Sequence, residues 1–377
     1  MTFMKKLLDL LNMDNWNSRN NSLDDNDLPP SAPITHSLPE ATSRLTSIVN
    51  FWRKHPQIYT NDFHIAKPEE YLLYGKTLLL NVYTKAHSLL EKFPIYFYSE
   101  CHISDPLKLQ SALLIDGYLE PASAHLALAS YTIPELKFIA ESIGCTKTGK
   151  KAELVNRVYH ALDKEARDTI VLQSGLYMLS SKGRLFMDKN SDYIELHRHW
   201  EYNICLSEYN QNRSSENEQH NFYTIAYTIL LKKTSRKLSM HQYYRIVFDY
   251  LNLYDIAISE SKYDLAIKYC LQAFYLKTCC THTISLHPPD RISYDSPDFS
   301  NDIFFISSDA PRLAHLEKYY TPDLVDNLYN DITLPPSFME KDVFSCMISE
   351  MFTQIVFDFE KYNNILRKEL KKYISLL

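Results

Sequence analysis

Between Tyr131 and Leu162 the chain reads YTIPELKFIAESIGCTKTGKKAELVNRVYHAL, and here capping residues, apolar spacing and charge all describe the same object. The pattern predicts two short helices joined by a basic turn. Thr132 followed three residues later by Glu135 is a capping box, and Pro134 falls in the first turn, where its missing N–H costs nothing. Leu136, Ile139, Ala140 and Ile143 recur at three- and four-residue steps, a stripe that Gly144 ends because glycine can take a positive φ. Thr148 is the expected cap of the second helix, whose matching stripe is Leu154, Val155, Val158, Ala161 and Leu162. Stripes this short must pack on each other.

This stretch resembles the SAP motif, a helix–turn–helix hairpin of DNA-binding and chromatin-associated proteins that also occurs in bacterial and phage proteins. The resemblance rests on Thr132, Ile133, Pro134, Glu135, Leu136 and Lys137 in the first helix, and on Gly144, Gly149, Lys150, Lys151, Glu153 and Leu154 across the turn. The chain departs from the pattern at Cys145, where the family usually has Leu. The likeness covers only this hairpin, within 377 residues. It implies duplex DNA, usually AT-rich, as ligand, read through groove shape and phosphates more than base edges. The segment that follows, with Tyr177, Leu179, Ser180, Lys182 and Gly183, resembles the ending found after SAP motifs in uncharacterised proteins of Gram-positive bacteria and their phages.

The residues themselves point to an anion site. The start of the second helix presents unpaired N–H groups and the positive end of its dipole. Lys147, Lys150 and Lys151 crowd that end against the dipole, which a phosphate backbone would explain. Candidate nucleic-acid-binding residues are Lys137, Lys147, Thr148, Gly149, Lys150, Lys151 and Arg157. The competing reading is a solvated lysine turn on a docking or spacer unit.

Composition sets the frame. A chain of 377 residues, 45% hydrophobic and 13% aromatic, can bury large cores. Of six glycines, five (Gly117, Gly144, Gly149, Gly175, Gly183) lie around the hairpin, so the remainder is expected to be mostly helix. Seven cysteines without CxxC pairs argue for a reducing compartment, and the chain reads as cytoplasmic. The apolar runs are shorter than the ~20 residues of a membrane span.

In order, residues 1–45 read as a short amphipathic helix and a flexible arm without a signal-peptide cleavage site, and 46–125 as a helical region with a short extended piece at PIYFYSE. The hairpin occupies 126–165, led in by a strand-like HLALASY. Residues 166–287 read as helices, one of them Ser-capped and starting near Ser181; a β-hairpin or wing at Lys182–Gly183 is the alternative there. His197 and His199, two apart on a helix, cannot chelate one metal. Residues 213–220 mark a loop. The Tyr-rich helices beyond it are weakly similar to a tetratricopeptide unit, but no 34-residue period repeats, and their tyrosines read as packing more than base stacking. Residues 288–336 hold seven prolines and nine acids against Arg291, Arg312 and Lys318, an irregular acidic connection. Residues 337–377 read as one long helix, boxed by Ser337 and Glu340, with Val343, Met347, Met351, Ile355, Phe359, Leu366 and Leu370 on one stripe. That stripe packs on its own body or serves a protein partner or a second copy.

The expected fold is therefore mostly α: a multi-helical protein with an embedded SAP-type two-helix hairpin and little β structure. No GxGxxG, GxxxxGK[ST], HExxH or GxSxG occurs, so no enzyme, cofactor or metal is expected. The function that follows is non-catalytic binding of duplex DNA by a hairpin carried on a helical interaction body. The alternatives are a structural or protein-interaction role, phage or mobile-element associated, and more remotely a metal-dependent nuclease built on carboxylates such as those of PPDRISYDSPDF and FDFEKY.

Overall fold

The computed structural model describes residues 38–56, 58, 65–213, 221–281, 284, 304–306, 308–353 and 357–375. Residues 1–37 of the helix and arm expected over 1–45, residues 214–220 of the loop expected over 213–220, and residues 288–303 lie outside them. The chain divides into two units at Arg44/Leu45, and the second holds every element after the first helix. Its described residues are mostly helical, with one small sheet.

Helix α1 (Leu38–Lys54) begins inside the arm expected over 1–45. It is followed by α2 (Pro68–Val82), β1 (His87–Ser88), α3 (Tyr96–Ser99), α4 (Pro106–Ile115) and β2 (Leu119–Pro121). Two expectations fail in this region. The helical reading of 46–125 breaks after Val82, because Leu179 N–H reaches Tyr83 O (3.1 Å) and β1 is drawn out to pair with a later strand. PIYFYSE is a helical turn, not an extended piece: Phe97 N–H bonds Pro94 O and its ring is buried. Four short helices come next, α5 (Ala124–Ser130), α6 (Ile133–Ser142), α7 (Lys151–Ala161) and α8 (Lys164–Ser174), before β3 (Leu176–Leu179). HLALASY is thus helix rather than strand. Ser123 caps it by accepting Leu126 N–H, and Ala and Leu are strong helix formers.

Strand β3 lies between β1 and β2, antiparallel to both, with Leu119 opposite Leu179 and Pro121 opposite Tyr177. The chain therefore leaves through β2 and returns through β3 side by side, with α5–α8 between them. These four helices bury a core of their own: Ala127, Leu128, Leu136, Ala140, Leu154, Val155, Val158, Leu162 and Ile170. The 126–165 bounds expected for the hairpin cut through both α5 and α8, which supply this core. Ala161 of the expected stripe is exposed.

Beyond the ribbon come α9 (Ser181–Asn190), α10 (Asp192–Arg198), α11 (Leu206–Asn212), α12 (Phe222–Ser239), α13 (Tyr243–Ser259) and α14 (Tyr263–Thr278). The Ser-capped reading holds at α9, where Ser180 Oγ accepts Gly183 N–H, and the β-hairpin alternative fails. Helices α13 and α14 pack closely because Ala257, Ala266 and Ala273 are small and fully covered. Tyr243, Tyr250, Tyr254 and Tyr275 are buried in this body and are not available to bases.

The described part of the acidic connection, 304–306 and 308–336, is not irregular surface. It holds α15 (Ala310–Leu313) and α16 (Pro322–Asn330), and Leu313, Leu316, Val325 and Leu328 are core residues. Two of its charged residues tie it to the preceding helices: Asp309 meets Lys277 (2.7 Å), and Arg312 reaches back to Asp255 (3.0 Å). The single C-terminal helix is two, α17 (Lys341–Thr353) and α18 (Phe359–Ile374). Asp358 caps the second by accepting Lys361 N–H, and Phe357 stacks on Tyr362 as a hydrophobic staple. Ser337 does not cap α17; its hydroxyl accepts Met339 N–H in a local turn, and Phe344 N–H bonds Glu340 O. Met347, Met351, Leu366 and Leu370 are fully covered by their own chain, and Val343 and Phe359 are half-buried against the same core; Ile355 lies outside the described residues.

Two outcomes are expected. Leu154→Ala empties a core of only nine buried side chains and should cost about 2–4 kcal/mol. Hydrogen exchange should rise across 124–174 and stay unchanged in α12–α14; equal effects in both would refute a separate core. At the α12–α13 corner His241, at φ +58°, faces the His55 ring at a centroid distance of 4.8 Å. Burial and the neighbouring His55 lower its pKa from the ordinary 6.5. The unfolded chain then takes this proton first, so stability is whole above pH ~6.5 and falls as pH drops below it. His241→Asn, which keeps the left-handed turn, should flatten the melting temperature between pH ~7 and ~5.

Candidate nucleic-acid interface

The hairpin turn is built by its own side chains. At the start of α6 the carboxylate of Glu135 accepts both the Thr132 N–H and its hydroxyl, each at 2.7 Å, as the spacing predicts. Those bonds hold Glu135 below the usual carboxylate range. Helix α6 then closes at Ile143, and Gly144 follows at φ +70°.

The cap of α7 is Lys150, not Thr148. Lys150 N–H bonds Glu153 Oε2 at 3.1 Å, so half a capping box forms two residues later than expected. Thr148 instead turns its carbonyl to Arg157, whose Nη1 donates to Thr148 O (2.8 Å) and to Thr146 O. Between these anchors Gly149 sits at φ +114°, where a Cβ would also stand 2.6 Å from Glu153 Oε2. The positive φ favours glycine, and any side chain there would also have to push the Glu153 carboxylate aside.

The basic residues therefore divide by role. Arg157 is a strut that holds the turn closed from inside. Lys147 pairs with Glu141 of α6 at 2.7 Å, both side chains exposed. Lys137 is exposed on α6, and Lys150 and Lys151 are exposed at the α7 start. Among the described residues neither Lys150 nor Lys151 makes an ion pair, and both stand against the dipole of α7. Lys151 is also close enough to Glu135 to help lower its pKa. The Glu141–Lys147 pair and the Arg157 strut are not legible in spacing, because each crosses from one helix or turn to another.

Elsewhere, His197 bonds the Glu100 carboxylate (3.0 Å), and His199 stands between Glu195 and Glu201. The two histidines are indeed separated, as their spacing predicts. Among the described residues no three metal-capable side chains converge, and no helix is long and apolar enough to cross a membrane.

Loss of the strut should be felt locally. Arg157→Ala removes two charged hydrogen bonds at a partly exposed turn and should cost roughly 1 kcal/mol, raising exchange at 146–151; unchanged exchange there would deny it this role. No protein-family model, curated protein or solved structure matches this chain.

Proposed function

We propose that this chain binds duplex nucleic acid, DNA rather than an enzyme's substrate, through the α6–α7 hairpin. The observation that carries the reading is the start of α7, where Lys150 and Lys151 are exposed, unpaired among the described residues and opposed to their own helix dipole. A phosphate between them would be held by two ammoniums and the free N–H groups of the first turn. Lys137 adds charge from α6. Lys147 joins only by exchanging Glu141 for phosphate, and Arg157 acts through the turn it closes. The likeness to SAP motifs supports the same face and AT-rich duplex as first choice.

The rest of the chain is a helical body that carries the hairpin, and catalysis is not part of the proposal. Cytoplasmic residence is proposed on the seven free cysteines, four of them buried. Phe138 favours the docking reading instead: its side chain is 74% exposed, with Glu135 and Glu141 three residues away on the same face, a surface suited to a basic, apolar protein segment.

The two readings separate in one assay. Titrating full-length chain onto AT-rich and GC-rich duplex across salt should give a linear fall of log affinity with log salt. Lys150→Ala/Lys151→Ala should shallow that slope by about one unit for each phosphate no longer neutralised. Phe138→Ser should leave it alone. An unchanged slope in the lysine variant, or no duplex binding by the wild type, rejects nucleic-acid contact at this end.

A further inference from the structure

A second group of cations is assembled at the root of the ribbon, from segments far apart in sequence. Lys76 of α2 places its Nζ 3.5 Å from the Tyr118 ring centroid and 4.6 Å from that of Phe186. Lys182 of α9 sits on the same Tyr118 ring at 4.3 Å and donates to the backbone carbonyl of Asp116. Arg184, two residues on, meets Glu120 of β2 at 3.6 Å, with both side chains about half exposed. Among the described residues neither Lys76 nor Lys182 makes an ion pair with a carboxylate. The groove beside Lys76 also holds Lys108, Asp105 and Asp116, and Glu120 stands at Arg184. Lys76, Lys108, Lys182 and Arg184 thus stand with Asp105, Asp116 and Glu120, a small local excess of cations in a chain of net −6.

Aromatic rings hold ammoniums in place without neutralising them, so Lys76 and Lys182 keep their full charge for something else. The exposed Arg184–Glu120 contact contributes little and is readily exchanged. Tyr118 immediately precedes β2, and Lys182 lies just past the end of β3. The patch thus lies where the helical module joins the body. The ribbon has three β2–β3 residue pairs, about 10 Å at ~3.3 Å per residue. Adding α7 and α8, 11 residues and roughly 16 Å each, gives a path of about 42 Å to the start of α7, well within the roughly 100 Å length of a duplex of about 30 base pairs.

We propose that Lys76, Lys182 and Arg184, gathered around Tyr118 and Phe186, form a second phosphate-backbone contact for the duplex that the hairpin engages. This rests on the nucleic-acid reading above and names where the helical body takes part in it. The contact carries no base readout. Its contribution is affinity and orientation: two sites on one chain engage one polyanion with a high effective concentration of the second.

The test uses the full chain and an AT-rich duplex of about 30 base pairs, with anisotropy titrations from about 50 to 200 mM salt. Lys76→Gln/Lys182→Gln should weaken binding roughly tenfold at the lower salt and shallow the slope by about one unit for each phosphate no longer neutralised. Lys76→Arg/Lys182→Arg should restore both. Because Lys76 also packs on two rings, Lys182→Gln/Arg184→Gln provides a second variant that spares it, and it should move in the same direction with an unchanged melting temperature. If the Lys150→Ala/Lys151→Ala chain loses slope while both root variants match the wild type, this proposal is overturned and the hairpin reading stands. If the wild type binds no duplex, both fall together.

Discussion

Everything the hairpin can do depends on the pairing of β2 with β3. Leu119–Pro121 and Leu176–Leu179 run antiparallel, and Ala122 N–H continues the ladder to Leu176 O at 2.8 Å. At the body end the ladder is locked by side contacts: Ser180 N–H to Tyr118 O, Ser180 Oγ to Gly117 O and Leu179 N–H to Tyr83 O. Gly183 lies so close to the Tyr118 carbonyl that a methyl group there would displace it. A long insertion adds only slowly to loop-closure entropy, and once its ends are clamped its helices need only a modest core to order themselves. That is why nine buried side chains suffice for α5–α8, and why this small core is separate from the large one.

Charge is distributed by the same logic of who is covered and who is not. In the body, Asp192, Asp249 and Asp309 are buried and each has a cation on its carboxylate, from Arg213, Lys237 and Lys277. Burial lifts Asp249 above its ordinary pKa even with Lys237 opposing, which shows how large the desolvation is. These pairs join helices and take no part in the surface field. The net charge of −6 therefore says little about any one face. The lysines at the start of α7 stand apart because, among the described residues, no carboxylate pairs with them, whereas Lys147 is answered by Glu141 and Arg157 by two carbonyls.

The hairpin was legible because its determinants are local: Thr132 with Glu135, a stripe at helical period, Gly144 after the last turn. Helical class was legible for the same reason, since α12–α14 announce themselves through runs of Ile, Leu, Ala and Tyr at helical spacing. The Asp358 cap and the Phe357–Tyr362 staple were equally local. They were hidden by a stripe that reads straight through them from Met347 to Leu370, so periodicity overrode a stop signal that was present.

What the sequence by itself determined is the helical class, the cap of the first hairpin helix, and which lysines crowd the second. Tertiary structure alone decided that α5 and α8 complete the hairpin's core, that an acidic, proline-rich segment supplies core residues, and that Lys76 and Lys182 meet on Tyr118. The physical reason is range. Capping and amphipathic spacing act within one or two helical turns and so are written in adjacent letters. Strand pairing, ion pairs between helices and cations on aromatic rings join residues far apart in the chain, and their partners are chosen only when the chain has closed on itself.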